Sequence, residues 1–371
     1  AGLAAGSSIP QEDFTGAAPE AELAVVKLKP AKKYLRDFYL IPSDAPAFQE
    51  NDIMMGIKYL RMMADRLKKP LVILLAMGSN SGSHIGTSPL SQVTQNYSGF
   101  FGIITVIACG NETGAAHHFY ASIPAGTEYE DVEIRVGKEE AERGFVLELW
   151  AADADTYTVG FISPSGERIS RIPIIANNET SIPFLLDATT ITVNYQLIEA
   201  ESGSQLIFMR FQTPAAGIWT VRVYNTQRFK GTFHMWLPVQ GMISEETVFL
   251  RPDPYSTITV PGNSRLPITV GAYDTSTGGI YIHSSRGFTP NQIVKPELAA
   301  PGVNILGPSV GRKPGSDTPM TTRTGTSAAA AITAGAAANL LGWGIVEGNY
   351  PTMSEASVKS YLIRGAQRNP A

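Results

Sequence analysis

The chain has 371 residues, 43% of them hydrophobic and 17% charged, with a formal net charge of −4. This composition is typical of a globular protein of about two domains and excludes disordered, collagen-like and coiled-coil chains. The weak negative charge and the lack of a Lys/Arg cluster with interleaved aromatics argue against a nucleic-acid partner. The longest apolar run covers only residues 71–77, so no membrane span is predicted. One cysteine excludes an internal disulfide and a Cys-rich metal site.

The sequence opens AGLAAG, with no initiator Met and no basic or long apolar leader. These residues are typical of a helix that ends at a glycine. We therefore expect the sequence to be a fragment or a processed product.

Residues 1–122 alternate strand and helix signals. Apolar runs flanked by an amphipathic segment indicate parallel strands covered by helices. The predicted elements are strands at residues 21–28, 71–77 and 101–109, and a helix at residues 52–69 with Asp52 as N-cap and Pro70 as stop.

Residues 123–250 show a period-2 pattern with turn residues between short runs and no convincing helix. This pattern predicts an antiparallel β-sandwich, and the strand number favours a jelly roll. The predicted strands cover residues 132–136, 146–149, 156–162, 190–197, 206–211, 218–224 and 232–237.

Signals of a parallel α/β sheet return after residue 250, with a strand at residues 266–273 and a helix at residues 326–343. The predicted fold class is therefore α/β, a mostly parallel sheet between helices, interrupted by an inserted antiparallel β-sandwich. The predicted domains are residues 1–122 and 251–371 for the two parts of the α/β unit, and residues 123–250 for the insertion.

The segment Gly325-Thr326-Ser327 begins an alanine-rich helix. A Ser at this place has a free backbone N–H, and the helix dipole favours a developing negative charge beside it. The alternative is an N-cap Ser on a buried helix, and for this segment alone the alternative is favoured. Asn111 directly follows an apolar strand, at the sheet edge where α/β folds bind ligands; the alternative for Asn111 is a turn residue.

These segments do not stand alone. Together and in this order they resemble the subtilisin-like serine proteases: GAAPEAEL at residues 16–23, AMG at 76–78, ACGNE at 108–112, VGAYD at 270–274, KPELAAPGV at 295–303 and TGTSAAAA at 324–331. The resemblance covers roughly residues 1–120 and 255–371 and implies a subtilisin-like fold and endopeptidase activity.

The resemblance implies that Ser327 is the nucleophile that forms an acyl-enzyme. Asn111 and the Ser327 backbone N–H would stabilise the oxyanion, with Thr326 as a more distant dipole. The substrate-binding residues would be Ala76, Met77 and Gly78, which pair with an extended peptide, and Gly110 beside the specificity pocket.

The sequence departs from the family because the His and Asp of the triad would lie upstream of Ala1. In subtilisin, loss of the His costs roughly 10⁶ in turnover, so we expect this chain alone to be almost inert. The five histidines of the chain do not lie in the family's context, and His117 and His118 are predicted to be structural or to lie at the substrate edge.

The inserted β-rich segment is similar to the Csp-type germination proteases of clostridia, some of which are pseudoproteases. The alternative function is therefore a non-catalytic scaffold in a spore germination or signalling complex. The implied partners are a protein or peptide substrate and the protein's own propeptide, and the implied location is the spore or the extracellular space. No cofactor is predicted, and calcium stays open because no acidic loop has a suitable spacing. Trp219, Phe233 and Trp236 could form a carbohydrate-stacking surface, an interpretation ranked last because strand aromatics are usually core.

Overall fold

The computed structural model describes residues 1–152, 155–175, 178–226, 229–310 and 320–368. A short 3₁₀ turn covers Pro10–Glu12, and a π-helical turn, Gly342–Val346, extends the sixth helix. The helices are α1 (Gly2–Ala5), α2 (Lys33–Tyr39), α3 (Glu50–Leu67), α4 (Pro89–Ser98), α5 (Lys138–Arg143), α6 (Thr326–Leu341) and α7 (Glu355–Gly365). The strands are β1 (Leu71–Leu75), β2 (Ile103–Ala108), β3 (His118–Ile123), β4 (Tyr129–Val136), β5 (Phe145–Ala151), β6 (Tyr157–Ile162), β7 (Arg168–Ile169), β8 (Glu179–Phe184), β9 (Thr189–Gln196), β10 (Leu206–Gln212), β11 (Gly217–Asn225), β12 (Gly231–Trp236), β13 (Val248–Phe249), β14 (Ile268–Tyr273), β15 (Leu298–Pro301), β16 (Ile305–Pro308) and β17 (Met320–Arg323).

A parallel sheet with the strand order β1-β2-β14-β15 forms the centre of the α/β part. Every residue of β2 is buried, as its continuous apolar sequence predicts for a strand covered on both faces. β2 and β14 are neighbours in this sheet although all strands of the antiparallel part lie between them in the sequence. The predicted strands at residues 71–77, 101–109 and 266–273 are confirmed.

The antiparallel part consists of a six-stranded sheet, β3-β12-β5-β10-β9-β8, and a five-stranded sheet, β13-β4-β11-β6-β7. Side chains of both sheets form one hydrophobic core, and all seven strands predicted for this region are present. Trp219 and Phe233 are 0% exposed in that core, and Trp236 is 2% exposed. The interpretation of these three aromatics as a carbohydrate-stacking surface was therefore wrong.

Residues 21–28, predicted as a strand, form no regular secondary structure. The only described strand that pairs with β1 is β2, so the segment has no ladder partner. Leu23 and Val25 are 56% and 74% exposed, and Val26 packs on Gly56 of α3. An apolar run predicts burial or extension, but a strand also needs a neighbouring backbone with free hydrogen-bonding groups.

The predicted helix at residues 52–69 is α3, which begins two residues earlier than expected. Asp52 therefore lies in the first turn, where a carboxylate complements the helix dipole, and its prediction as N-cap was wrong. The helix ends at Leu67, and Lys68 adopts a left-handed conformation with φ of 54° before Pro70.

Helix α6 crosses the centre of the α/β part because its face is made of small residues. A Cβ atom on Gly335 would lie 2.5 Å from the Ala17 Cβ and 2.7 Å from the Ala4 carbonyl oxygen, so glycine permits close contact with α1. By length and composition Thr326–Val346 could cross a membrane, with a mean hydropathy of 1.5, but half of that window is buried inside the molecule. Core helices of soluble proteins meet the same criterion, and the predicted absence of a membrane span stays a prediction.

A buried carboxyl group joins the two central strands of the parallel sheet. Glu355, the first residue of α7, is 2% exposed and accepts hydrogen bonds from the Thr105 N–H of β2 at 2.7 Å and the Ile268 N–H of β14 at 3.1 Å. Burial raises the pKa of this carboxyl group to about 8.

We expect the stability of the protein relative to its Glu355→Gln variant to fall as pH rises from 5 to 9. Because the folded-state pKa is raised to about 8, the stabilisation is fully present below the ordinary glutamate pKa and is lost as pH rises through the folded-state value. The difference in unfolding free energy should change by a few kcal/mol. Urea unfolding at several pH values measures it, with the exposed Glu347→Gln as control; a difference independent of pH would contradict the prediction.

Candidate active site

Ser327 lies at the start of α6, where the chain turns sharply out of an extended segment. Gly325, directly before the helix, has a φ of 140°, a conformation that favours glycine. Ser327 is exposed, and its hydroxyl donates a hydrogen bond to the Ala76 carbonyl oxygen at 3.2 Å. Its backbone N–H makes no hydrogen bond within the described part of the chain, as expected for the first turn of a helix.

Asn111 follows β2 at the carboxyl edge of the parallel sheet, across the pocket from Ser327. Its side-chain oxygen accepts a hydrogen bond from the Thr326 backbone N–H at 3.0 Å. This contact fixes the carboxamide and leaves both Nδ2 hydrogens without a protein partner among the described residues. The Thr326 side chain is fully buried. Its backbone N–H, which donates this hydrogen bond, positions the Asn111 side chain.

The seven site residues predicted from the sequence line one small pocket of about 160 Å³. The structure therefore brings together the segments that follow β1 and β2 and the start of α6, which are far apart in the sequence. The complete lining is Ala76, Met77, Gly78, Ala108, Gly110, Asn111, Glu112, Val239, Gln240, Thr259, Thr326 and Ser327.

The exposed segment after β1 forms one edge of the pocket. The backbone groups of Met77 and Gly78 make no hydrogen bond within the described residues, whereas the next residue, Ser79, pairs with Val260 in an antiparallel bridge. A Cβ atom on Gly78 would lie 2.2 Å from the Thr259 hydroxyl oxygen. The edge therefore has unpaired backbone groups that an extended peptide could pair with, and glycine brings it close to the pocket wall.

Gly110 is a second position where the pocket requires glycine. It has a φ of 102°, and a Cβ atom there would lie 2.6 Å from the Thr259 Cγ2 atom. Larger residues at this position would push the wall apart or close the pocket.

A buried hydrogen bond between Glu112 and His117 supports the wall beside Asn111; the sequence predicted a structural or substrate-edge place for His117 and no role for Glu112. One Glu112 oxygen lies 2.7 Å from the His117 Nδ1 atom, and the other accepts from the Gln240 backbone N–H at 3.0 Å. Both side chains are at most 5% exposed. The pair fixes Gln240 and Val239, which follow β12, in the pocket lining; their contribution depends on the tertiary fold and has no local sequence signal.

None of the five histidines of the chain, all of which lie in the described part, lines this pocket. A general base for Ser327 is therefore not found among them. Among the described residues, no group of three or more His, Cys, Asp or Glu side chains is placed to hold a metal ion.

Comparisons with known proteins find a matching family model and a similar solved structure. The family model described as the subtilase family, Peptidase_S8, matches residues 251–371. They carry α6 and Ser327, whereas Asn111 and residues 76–78 lie outside the matched range.

Among solved structures, the chain is similar to the Clostridium perfringens CspB protease, with a TM-score of 0.78 and 29% sequence identity. The match covers 88% of this chain and 66% of the CspB chain, so this chain spans slightly less than two thirds of that length. No curated protein gives a significant match. The predicted resemblance to subtilases, and to Csp-type proteases among them, is confirmed.

Proposed function

We propose that this chain is the part of a serine endopeptidase that contains the nucleophile, the oxyanion hole and one substrate-binding edge. One observation carries the proposal: the Ser327 hydroxyl and the Asn111 carboxamide line the same pocket, beside a strand end with unpaired backbone groups. The subtilase match and the similarity to a protease support the same reaction class.

In this mechanism, a peptide pairs with the backbone of Met77 and Gly78, and its scissile carbonyl reaches Ser327. The Ser327 oxygen bonds to the carbonyl carbon while its proton passes to a base. The Asn111 amide and the Ser327 backbone N–H stabilise the oxyanion. The C–N bond then breaks as the base gives the proton to the leaving amine, and water hydrolyses the acyl-enzyme.

The base in this proposal is a histidine outside the 371 residues, because none of the five in the chain lines the pocket. Similarity to a chain of which this one covers only 66% is consistent with that assignment. We extend the proposal to the architecture: residues 123–250 are a jelly-roll insertion between subtilase parts 1–122 and 251–371, and a propeptide is a second occupant of the substrate edge.

The non-catalytic alternative is not favoured. The Ser327 hydroxyl is exposed and the Asn111 carboxamide keeps its donors unpaired, and a scaffold requires neither feature.

Reaction with a fluorophosphonate probe, followed by mass spectrometry of the labelled peptide, tests the function. We expect the full-length protein to carry the adduct on Ser327, and we expect the 371-residue chain alone to react several orders of magnitude more slowly because it lacks the base. Equally fast labelling of the isolated chain would contradict the assignment of the base. An adduct on a different residue would contradict the assignment of Ser327.

A further inference from the structure

A second and larger groove lies away from the Ser327 pocket and shares no lining residue with it. Its volume of about 790 Å³ falls in the range of small-molecule sites, roughly 300–1,000 Å³. One part of its lining comes from the six-stranded sheet, with Tyr120 of β3 and His234 of β12. Another part comes from residues 253, 255–256, 287–288 and 290–292. The groove therefore exists only where the antiparallel part and the α/β part meet.

His234 offers a hydrogen-bond acceptor in the groove, and the hydrogen bonds of His118 and His234 show which ring atom it is. His118 Nδ1 lies 3.1 Å from the Asp253 carbonyl oxygen, so it must donate, and its Nε2 atom carries no proton in the neutral ring. That Nε2 atom accepts from His234 Nδ1 at 2.9 Å. His234 Nε2 is then an acceptor, and it has no partner among the described residues. Burial lowers the pKa of His118 to about 4, which keeps this ring neutral near pH 7.

A donor without a protein partner accompanies this acceptor. Trp236 is 2% exposed, lines the same groove, and its indole N–H has no hydrogen-bond partner among the described residues. Buried polar groups are rarely left unpaired. His234 offers an acceptor and Trp236 a donor, and a ligand hydroxyl group can hydrogen-bond to either kind of group.

The rim of the groove carries three large aromatic rings that face solvent. Tyr120, Tyr255 and Phe288 are 42%, 57% and 52% exposed. Aromatic side chains are usually buried, and a group of exposed rings around a concave site indicates a binding surface. The rim also carries the exposed amides of Asn291 and Gln292. The Asn291 amide already donates to the Ile85 carbonyl oxygen at 3.1 Å and accepts from the Thr289 hydroxyl at 2.7 Å.

The charges of the groove restrict the class of ligand. No Lys or Arg lines it in the described chain, and Asp253 is its one carboxylate, so nothing compensates an anionic ligand. A quaternary ammonium needs free ring faces on several sides. Here the floor rings stack on one another, His84 on Trp236 at 3.8 Å and His234 on Trp236 at 5.2 Å, so these faces are already occupied.

We propose that this groove binds a neutral saccharide. The exposed rings of Tyr120 and Tyr255 contact the C–H faces of sugar rings, and hydroxyl groups of the sugar hydrogen-bond to His234 Nε2 and the rim amides. The site is distinct from the protease pocket, and sugar binding does not require Ser327.

Isothermal titration calorimetry of the full-length protein with three neutral probes tests the proposal: maltohexaose, cellohexaose and the β-1,4-linked hexamer of N-acetylglucosamine. We expect saturable binding of at least one hexamer. Tyr120→Ala and Tyr255→Ala should each weaken it about fivefold, the fold-change that corresponds to a ring contact of about 1 kcal/mol. His234→Phe should weaken it severalfold by removing the acceptor while keeping a ring.

Tyr59→Ala is the matched control, because Tyr59 is 52% exposed on α3 and does not line the groove. The affinity of this variant for the hexamers should equal that of the unchanged protein. Thermal unfolding checks that each variant is folded. The proposal is overturned if no hexamer binds, if binding is insensitive to both rim substitutions, or if only choline or a galacturonic acid hexamer binds.

Discussion

Replacing Ser327 with alanine is expected to abolish fluorophosphonate labelling of the full-length protein. In the proposed mechanism the substitution removes the atom that forms the covalent bond, and in subtilisin loss of the nucleophilic Ser lowers turnover by about 10⁶. The side chain is exposed and makes one hydrogen bond, to the Ala76 carbonyl oxygen. Stability should therefore change by no more than about 1 kcal/mol. The labelling rate and the unfolding midpoint are the two measurements.

Ser8→Ala is a suitable control, because Ser8 is also exposed and lies outside the pocket; it should label at the unchanged rate. Residual labelling of the Ser327→Ala protein at a rate similar to that of this control would show that another residue is the nucleophile.

The second large effect is expected at Asn111. In Asn111→Asp, a carboxylate oxygen still accepts from the Thr326 backbone N–H, as the amide oxygen does at 3.0 Å, but the donor to the oxyanion is lost. The rate of phosphonylation should fall by about 10²–10³, the cost of removing the equivalent donor in subtilisin. Labelling reactions that are quenched at successive times, at several probe concentrations, give the rate constant that measures this fall.

Asn349→Asp, at an exposed position outside the pocket, makes the same chemical change and should leave the rate unaltered. If Asn111→Asp reacts as fast as this control, the Asn111 amide does not stabilise the oxyanion and only anchors α6.

Local sequence patterns predicted the elements that depend on local periodicity. The alternating run at residues 206–211 is β10, Leu206–Gln212, and the small-residue run after Ser327 is α6. Each pattern predicts which face of the element is buried, and neighbouring elements of the fold pack against that face. The order of the motifs then located seven of the twelve residues that line the Ser327 pocket.

The features that depend on distant parts of the chain were not predictable in this way. Residues 21–28 have a strand-like sequence, but no described neighbour pairs with them. Glu355 resembles an ordinary helix N-terminal glutamate, and only the fold shows that it accepts hydrogen bonds from two adjacent strands. The larger groove likewise combines His118 and His234 with two separate loops, one with Tyr255 and one with Phe288, and these segments carry no common motif.

The central claim is that the Ser327 hydroxyl and the Asn111 carboxamide act on the same carbonyl group. A crystal structure of the full-length protein after reaction with a fluorophosphonate tests it most directly. We predict phosphorus bonded to Ser327 Oγ, with a phosphonyl oxygen within hydrogen-bonding distance of both Asn111 Nδ2 and the Ser327 backbone nitrogen. A phosphonyl group on a different residue, or one on Ser327 whose oxygens all point away from Asn111, would contradict the account.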